Sequence, residues 1–399
     1  MILIIKSMTT RFLLPILICV GLIPACKTTQ NGNANSDPVD HHDVVETYAQ
    51  IVHATYSDSL NSAKEMSRKI NAFLAAPTQE GLVAAKESWI KARLPYLQTE
   101  VYRFYDGPID DKDGPEGLLN AWPMDEAYVD YVQGMPEAGI INDKESYPDI
   151  TKELLVSLNE KDGEENISCG YHAIEFLLWG QDLRADGPGN RPHTDYTTEP
   201  NAERRKQFLR ITVSLLLENL QDLVGEWENG KDNYRSAFVK NDPKKSIQKI
   251  LTGMTLLSGF ELAGERLLVA YESRAQEDEH SCFSDTTHFD AIYDIVGIMN
   301  VWKGRYESSN GSTIQGPGIQ ALASAKNSSL SADINKKHKA SLAASKAVPP
   351  PFDQAILAED GSAARKTILA LIEELENVAD GLVEISKEIG VIVAREPEE

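Results

Sequence analysis

The stretch Ser168-Cys169-Gly170-Tyr171-His172-Ala173-Ile174-Glu175-Phe176-Leu177-Leu178-Trp179-Gly180-Gln181-Asp182 sets the tightest constraint on how this chain can fold. Ile174, Phe176, Leu177, Leu178 and Trp179 make it apolar nearly all round, and Gly170 and Gly180 punctuate it, so it reads as one short helix. A helix that is apolar on every side is buried. Yet His172 and Glu175 stand three residues apart, on one face of it. A buried carboxylate is costly unless it is paired or bound to a metal. The rest of the chain must supply whatever meets this pair.

Helical periodicity dominates elsewhere, and no stretch shows sustained strand-like alternation. Val45, Tyr48, Val52, Tyr56, Met66, Ile70, Phe73 and Leu74 mark a long first helix that ends before Pro77. Thr78 is placed to cap the next one. That helix carries Trp89, Arg93, Tyr96, Glu100 and Arg103 at steps of three or four, a polar and aromatic stripe where an ordinary core face is aliphatic. The stripe is read either as an interdomain face held by ion pairs or as part of a polar site. Pro95 predicts a kink. Leu118 to Val132 reads as a helix interrupted near Pro123, and Ile150 to Leu158 as another.

Gly187-Pro188-Gly189-Asn190-Arg191-Pro192 is a turn-rich break. Beyond it, Arg204 to Trp227 is a strong helix, and Pro243 opens a second at its first position. The stripe Ile247, Ile250, Met254, Leu257 continues into Glu261, Glu265 and Leu268, which places two carboxylates on or beside an apolar face. Ile292 to Tyr306 and Ile319 to Ala347 read as helical, with a loop over 311–318 between them; Gly361 separates a short helix from a last one running to about Val393. The expected fold class is all-α, two helical bundles packed together with a site at their interface. The first spans 44–187 and the second 188–399.

The N-terminus reads as processing signal rather than fold. Lys6 and Arg11 precede an apolar run from Phe12 to Ile23 that is too short to span a bilayer as a stable helix. Residues 1–25 are the expected signal peptide. Cys26 follows Ala25 as the lipidated cysteine of a bacterial lipobox does, and 26–43 is a polar tether. The expectation is an exported, membrane-anchored lipoprotein facing the periplasm or cell surface. Cys169 and Cys282 then remain, an even count that allows a disulfide in an exported protein; two free buried thiols are the other reading.

Carboxylates and imidazoles projecting from bundle helices are a common way to hold a metal. His172 and Glu175 give two ligands, and zinc or iron needs more. Glu100 and Glu265 are the next candidates. Arg93 and the loop residues Asp278, His280, Asp285 and His288 form a second tier. A net charge of −22 suits cations and argues against nucleic acid as a partner. Peptidase signatures are incomplete: Ala173 stands where His-Glu-x-x-His needs glutamate, and Phe176 where the inverted motif needs its second histidine.

Gly170-Tyr171-His172-Ala173-Ile174-Glu175 resembles the Gly-x-His-x-x-Glu motif of the imelysin-like family, which includes insulin-cleaving metallopeptidases and the iron-regulated protein A group. Asn120-Ala121-Trp122-Pro123-Met124-Asp125-Glu126-Ala127-Tyr128, Arg191-Pro192-His193-Thr194-Asp195-Tyr196, Gly264-Glu265-Arg266, the run Asp278 to Asp285 and Pro351-Phe352-Asp353-Gln354 resemble its other blocks. The resemblance is closest to the iron-regulated protein A group. It implies two helical bundles with a site around His172 and Glu175, and a link to iron acquisition.

The expected function is therefore binding of a metal ion, iron first and zinc second, for bacterial iron uptake. The expected partners are the metal or an iron-carrying ligand, the membrane through the N-terminal lipid, and an uptake-system protein. Two alternatives stand beside it: a zinc metallopeptidase using His172 and Glu175, and a structural or partner-binding protein in which these two residues are a buried hydrogen-bonded pair.

Overall fold

The structure is a computed structural model that describes residues 39–184 and 186–397. The expected signal peptide, Cys26 and most of the expected tether lie outside the described residues. The first helix, α1 (His41–Ala75), is capped by the Asp40 side chain, which accepts from the His42 amide. Thr78 caps α2 (Gln79–Leu97) as its sequence position predicts, accepting from the Gly81 amide, and Pro95 lies within the last turn. The two helices pack along each other.

Shorter elements follow. Glu100–Tyr102 forms one tight turn, and the segment read as a broken helix near Pro123 is two single turns, α3 (Glu116–Leu119) and α4 (Glu126–Val129). α5 (Lys152–Leu158) is capped by Thr151, and α6 (Gly170–Trp179) is the buried helix that carries His172 and Glu175. α7 (Ala202–Glu226) packs on α1 and α6, and α8 (Tyr234–Lys240) leads into α9 (Pro243–Leu256), which Pro243 opens behind an Asp242 cap.

α9 does not stop at Leu256. It widens into a π-helical stretch, Leu257–Leu268, and then continues as α10 (Val269–Ser273). A π turn bonds i to i+5 and takes more residues per turn than an α turn, so each such turn rotates the following residues relative to an α register. Here Leu262 and Ala263 are buried five residues after Leu257 and Ser258, and Arg266 turns inward while Glu265 faces solvent. The α-helical stripe drawn through Glu261 and Glu265 therefore misassigns the second of them.

After α11 (Thr287–Lys303) comes a feature that the sequence pattern does not reveal. β1 (Arg305–Glu307) and β2 (Thr313–Gln315) form an antiparallel hairpin, with Tyr306 opposite Ile314. Three-residue strands are too short to display alternation, so 305–306 reads as helix and 313–315 as loop. The hairpin is tied to α1 through Asp58, which accepts from the Tyr306 hydroxyl at 2.7 Å and the Ser309 amide at 2.9 Å. α12 (Ile319–Lys326), α13 (Ser328–Ala347), α14 (Phe352–Leu357) and α15 (Ala363–Ile389) complete the described chain. The all-α class holds, with this one hairpin among the described residues.

Two apolar clusters fill the interior. The larger gathers α1, α2, α6, α7 and α9 around Trp89, Phe176, Leu216 and Leu251. The smaller gathers the π-helical stretch, α11, α14 and α15 around Leu267, Ile295, Ile356 and Leu371.

His338 on α13 is buried against the Trp302 ring, with centroids 5.4 Å apart, and burial followed by the charge of Lys303 pushes its pKa down to about 3. Its unfolded value is near 6.5, so the unfolded chain binds the extra proton first and stability falls as pH drops through the window from 6.5 to 3. The cost is up to about 1.4 kcal/mol per pH unit for such a group. Urea midpoints measured between pH 7 and 4 should decline less steeply in His338→Gln than in the unsubstituted chain; parallel profiles would contradict this assignment.

Candidate functional site

Gly170 starts α6 with φ at 86°, a conformation that side-chain-bearing residues rarely adopt, and a Cβ there would sit 2.7 Å from the Leu119 carbonyl oxygen. The first residue of the Gly-x-His-x-x-Glu pattern is thus needed by the backbone. The next residues deliver the chemistry. His172 and Glu175 are fully buried, and His172 Nδ1 lies 3.0 Å from Glu175 Oε2. The other carboxylate oxygen accepts from the Ser284 amide at 2.9 Å and the Ser284 hydroxyl at 2.6 Å. Burial pushes the Glu175 carboxyl up to about 8 and holds the His172 imidazole well below its ordinary value. His172 Nε2 has no hydrogen-bond partner.

The loop before α11 supplies a second imidazole. The His280 ring meets that of His172 edge to face, with centroids 4.7 Å apart, and Trp122 covers His172 at 5.0 Å. His280 Nδ1 lies 2.9 Å from Asp290 Oδ2, which also accepts from the Ser281 hydroxyl at 2.6 Å. Arg93 donates to the side-chain oxygen of Asn120, which orients the amide and turns its NH2 toward His280 Nε2 at 3.4 Å. This network fixes the tautomer: His280 Nδ1 carries the proton and donates to Asp290, and Nε2 accepts from Asn120. Burial, then the charges of Arg266 and Arg93, hold His280 in the neutral form.

Arg93 itself is buried. Its guanidinium lies over the Tyr171 ring at 5.0 Å and 3.5 Å from Asp290. Two turns on, Glu100 faces arginines: Arg103 at 2.9 Å and Arg266 at 2.5 Å. Burial alone would raise the Glu100 carboxyl, but the two guanidinium groups outweigh it and bring it to about 2. Arg266 also pairs with Glu261 at 2.8 Å and Asp294 at 3.1 Å. The mixed stripe that begins on α2 is therefore both an ion-pair face and the wall of a polar site.

A cavity of about 390 Å³ opens onto His280, Asn120 and Trp122. Six carboxylates line it, those of Glu116, Glu160, Glu164, Glu261, Glu265 and Asp278, against the two guanidinium groups of Arg103 and Arg266.

The structure thus brings His172, Glu175, His280, Arg93 and Glu100 into one connected neighbourhood. Glu265 and Asp278 stand on the cavity wall, and His288 packs beside the Phe289 ring. Asp285 belongs to a separate carboxyl group with Asp182 and Asp353. His193 faces Gln79 at the start of α2. Cys169 and Cys282 are both buried free thiols, so the expected disulfide is corrected: Cys169 sits beside the Ser168 hydroxyl, and burial pushes both thiols up, Cys169 to about 12. Ser284, Asn120, Trp122 and Asp290 escape sequence reading as site residues; the resemblance blocks containing the first three are their only signal.

A family model described as imelysin matches residues 52–379. The chain belongs to the imelysin family. It is 26% identical over 318 residues to iron-regulated protein A of Synechococcus elongatus, covering 75% of each chain. Its fold is similar to the crystal structure of a protein described as an iron-regulated protein A precursor from Parabacteroides distasonis, with a TM-score of 0.69 at 19% identity, covering 89% of this chain and 97% of that one. An imelysin-like protein from Psychrobacter arcticum 273-4 gives a TM-score of 0.62 at 12% identity, covering 90% and 99%. These two likenesses concern the fold.

Gly170→Ala should lose roughly 2–4 kcal/mol of stability, the sum of a left-handed backbone and a clash with main chain. Urea denaturation followed by far-ultraviolet circular dichroism checks this. An unchanged midpoint would mean that the start of α6 relaxes freely.

Proposed function

We propose that this imelysin-family chain is an exported, lipid-anchored protein that binds iron through His172 and His280 for uptake. One observation carries the reading: two buried imidazoles stand ring to ring, each with a carboxylate at Nδ1, with His172 Nε2 unpartnered and His280 Nε2 held only by the Asn120 amide at 3.4 Å. A histidine that ligates a metal almost always donates its other ring nitrogen's proton to a carboxylate, carbonyl or water, and Glu175 and Asp290 stand in that supporting position. Imidazole nitrogen suits iron and zinc alike. The name iron-regulated protein A, carried by the relative from Synechococcus elongatus, favours iron.

The residues fit a bound cation as cargo better than a hydrolytic zinc. A catalytic zinc takes about three protein ligands. Both Glu175 oxygens are already engaged, and Glu100 is neutralised by arginines, so two imidazoles are the donors that remain. The other ligands would come from water or from an iron-carrying molecule in the cavity. Its excess of carboxylates raises the local concentration of cations. Cys26 would hold the protein at the membrane, where an uptake-system protein would receive the metal.

Ferrous iron titrated anaerobically into the chelator-treated full chain should bind at one site per chain. His172→Ala and His280→Ala should each weaken it at least tenfold, with far-ultraviolet circular dichroism unchanged. Equal affinity in the double variant would remove the site from these two rings.

A further inference from the structure

A second group of acids lies outside the histidine site. Asp182 follows α6, Asp285 lies in the loop before α11, and Asp353 opens α14; one carboxylate oxygen from each lies within 4.8 Å of the others. Asp353 is 2% exposed and Asp285 9%. One oxygen of each of these two has no hydrogen-bond partner.

Acidic clusters are common on protein surfaces and mean little by themselves. Glu279 is the independent observation. It is fully buried, and neither of its carboxylate oxygens has a hydrogen-bond partner in bonding geometry. The charges acting on it are those of Asp353, Asp285 and Asp182, and the neutral Thr287 hydroxyl is the nearby group that favours its ionised form. Among the described residues no basic side chain forms an ion pair with this buried carboxylate, and the charges acting on it most strongly are acidic. Arg184 is the nearby base, and it is itself paired with Asp186 at 3.1 Å.

We propose that Asp182, Asp285 and Asp353, with Glu279 behind them, form a binding site for one hard divalent cation, best matched by Ca²⁺. The donor set is all oxygen, without imidazole or thiolate, which selects calcium-like ions over softer metals. The ligands come from three separate segments, and this suits the adaptable coordination of Ca²⁺ better than the tight octahedron of Mg²⁺. Asp285 is pushed up to about 7, by burial first and then by Asp182 and Asp353, which is the repulsion that a bound cation would relieve. Without a cation the same repulsion is met by carboxyls sharing protons. The site shares no side chain with the histidine pair, although Asp285 follows the Ser284 that holds Glu175. An occupied site would fasten the end of α6, the 279–286 loop and the start of α14 to one another.

The test uses the chelator-treated full chain at pH 7.5, titrated with CaCl₂ by calorimetry and followed by thermal unfolding, with NaCl at matched ionic strength. Three variants accompany it: Asp182→Asn/Asp353→Asn, Glu279→Gln and His172→Ala/His280→Ala. The expected result is one Ca²⁺ per chain and a rise in Tm for the unsubstituted chain and the histidine variant. Affinity should fall at least tenfold in the aspartate variant and measurably in Glu279→Gln. Calcium-free, the aspartate variant should unfold no earlier than the unsubstituted chain, because it has lost repulsion; this separates lost binding from failed folding. No calcium response in the unsubstituted chain means proton sharing alone and overturns the proposal, as does an equal response in the aspartate variant.

Discussion

A carboxyl group inside an apolar helix has to be met by donors, and the way Glu175 is met organises the molecule. Its two partners come from different distances: His172 one turn away, and Ser284 109 residues on. The Ser284 amide and hydroxyl both point at one oxygen, so the loop before α11 cannot leave α6 without stranding a buried acceptor. Leaving such a group unpaired costs about 1–3 kcal/mol. That loop in turn brings His280 against His172. The helix that is hardest to bury therefore dictates where a distant loop must sit, and the loop completes the polar neighbourhood.

The charged groups behind this pair are buried as a network rather than as isolated pairs. Arg93 bridges Asn120 and Asp290, while Arg266 joins Glu100, Glu261 and Asp294. Buried ion pairs are weak evidence of stability, since desolvation offsets most of the attraction, whereas breaking one strands a charge. The stability lies in the apolar clusters on either side. What the network contributes is definition: Asn120 and Asp290 leave His280 a single tautomer, and burial together with the guanidinium groups keeps both imidazoles neutral.

The parts of this arrangement that are legible in the sequence are those set by local rules. α6 stands out because apolar residues surround a histidine and a glutamate, Thr78 and Pro243 sit where caps and first turns require them, and the stripe from Trp89 to Arg103 is visibly unlike an aliphatic core face. His280 is flagged only as one acid-flanked histidine among several. Its pairing with His172 depends on tertiary packing that no spacing encodes. Ser284 and Asp290 look like ordinary loop and helix residues until their partners are in place. Glu265 is misplaced for a different reason: an α-helical count does not hold across a π-helical stretch, where the wider turn hands the inner position to Arg266. The β1–β2 hairpin is simply too short to leave a period.

The loop from Asp278 to Thr286 is where these constraints converge. Asp278 lines the acidic cavity, His280 enters the histidine pair, Ser284 clamps Glu175 and Asp285 turns to the carboxyl cluster with φ at 57°. Neighbouring side chains thus serve different surroundings, and no one of them can shift without moving the others along the same short backbone. One peptide bond and the Ser284 hydroxyl separate Asp285 from Glu175. Two polar sites that share no side chain are in this way tied by main chain, and the tie is rigid because Ser284 also bonds Thr286 at 2.7 Å and the Ser281 amide bonds the Thr287 hydroxyl at 3.1 Å.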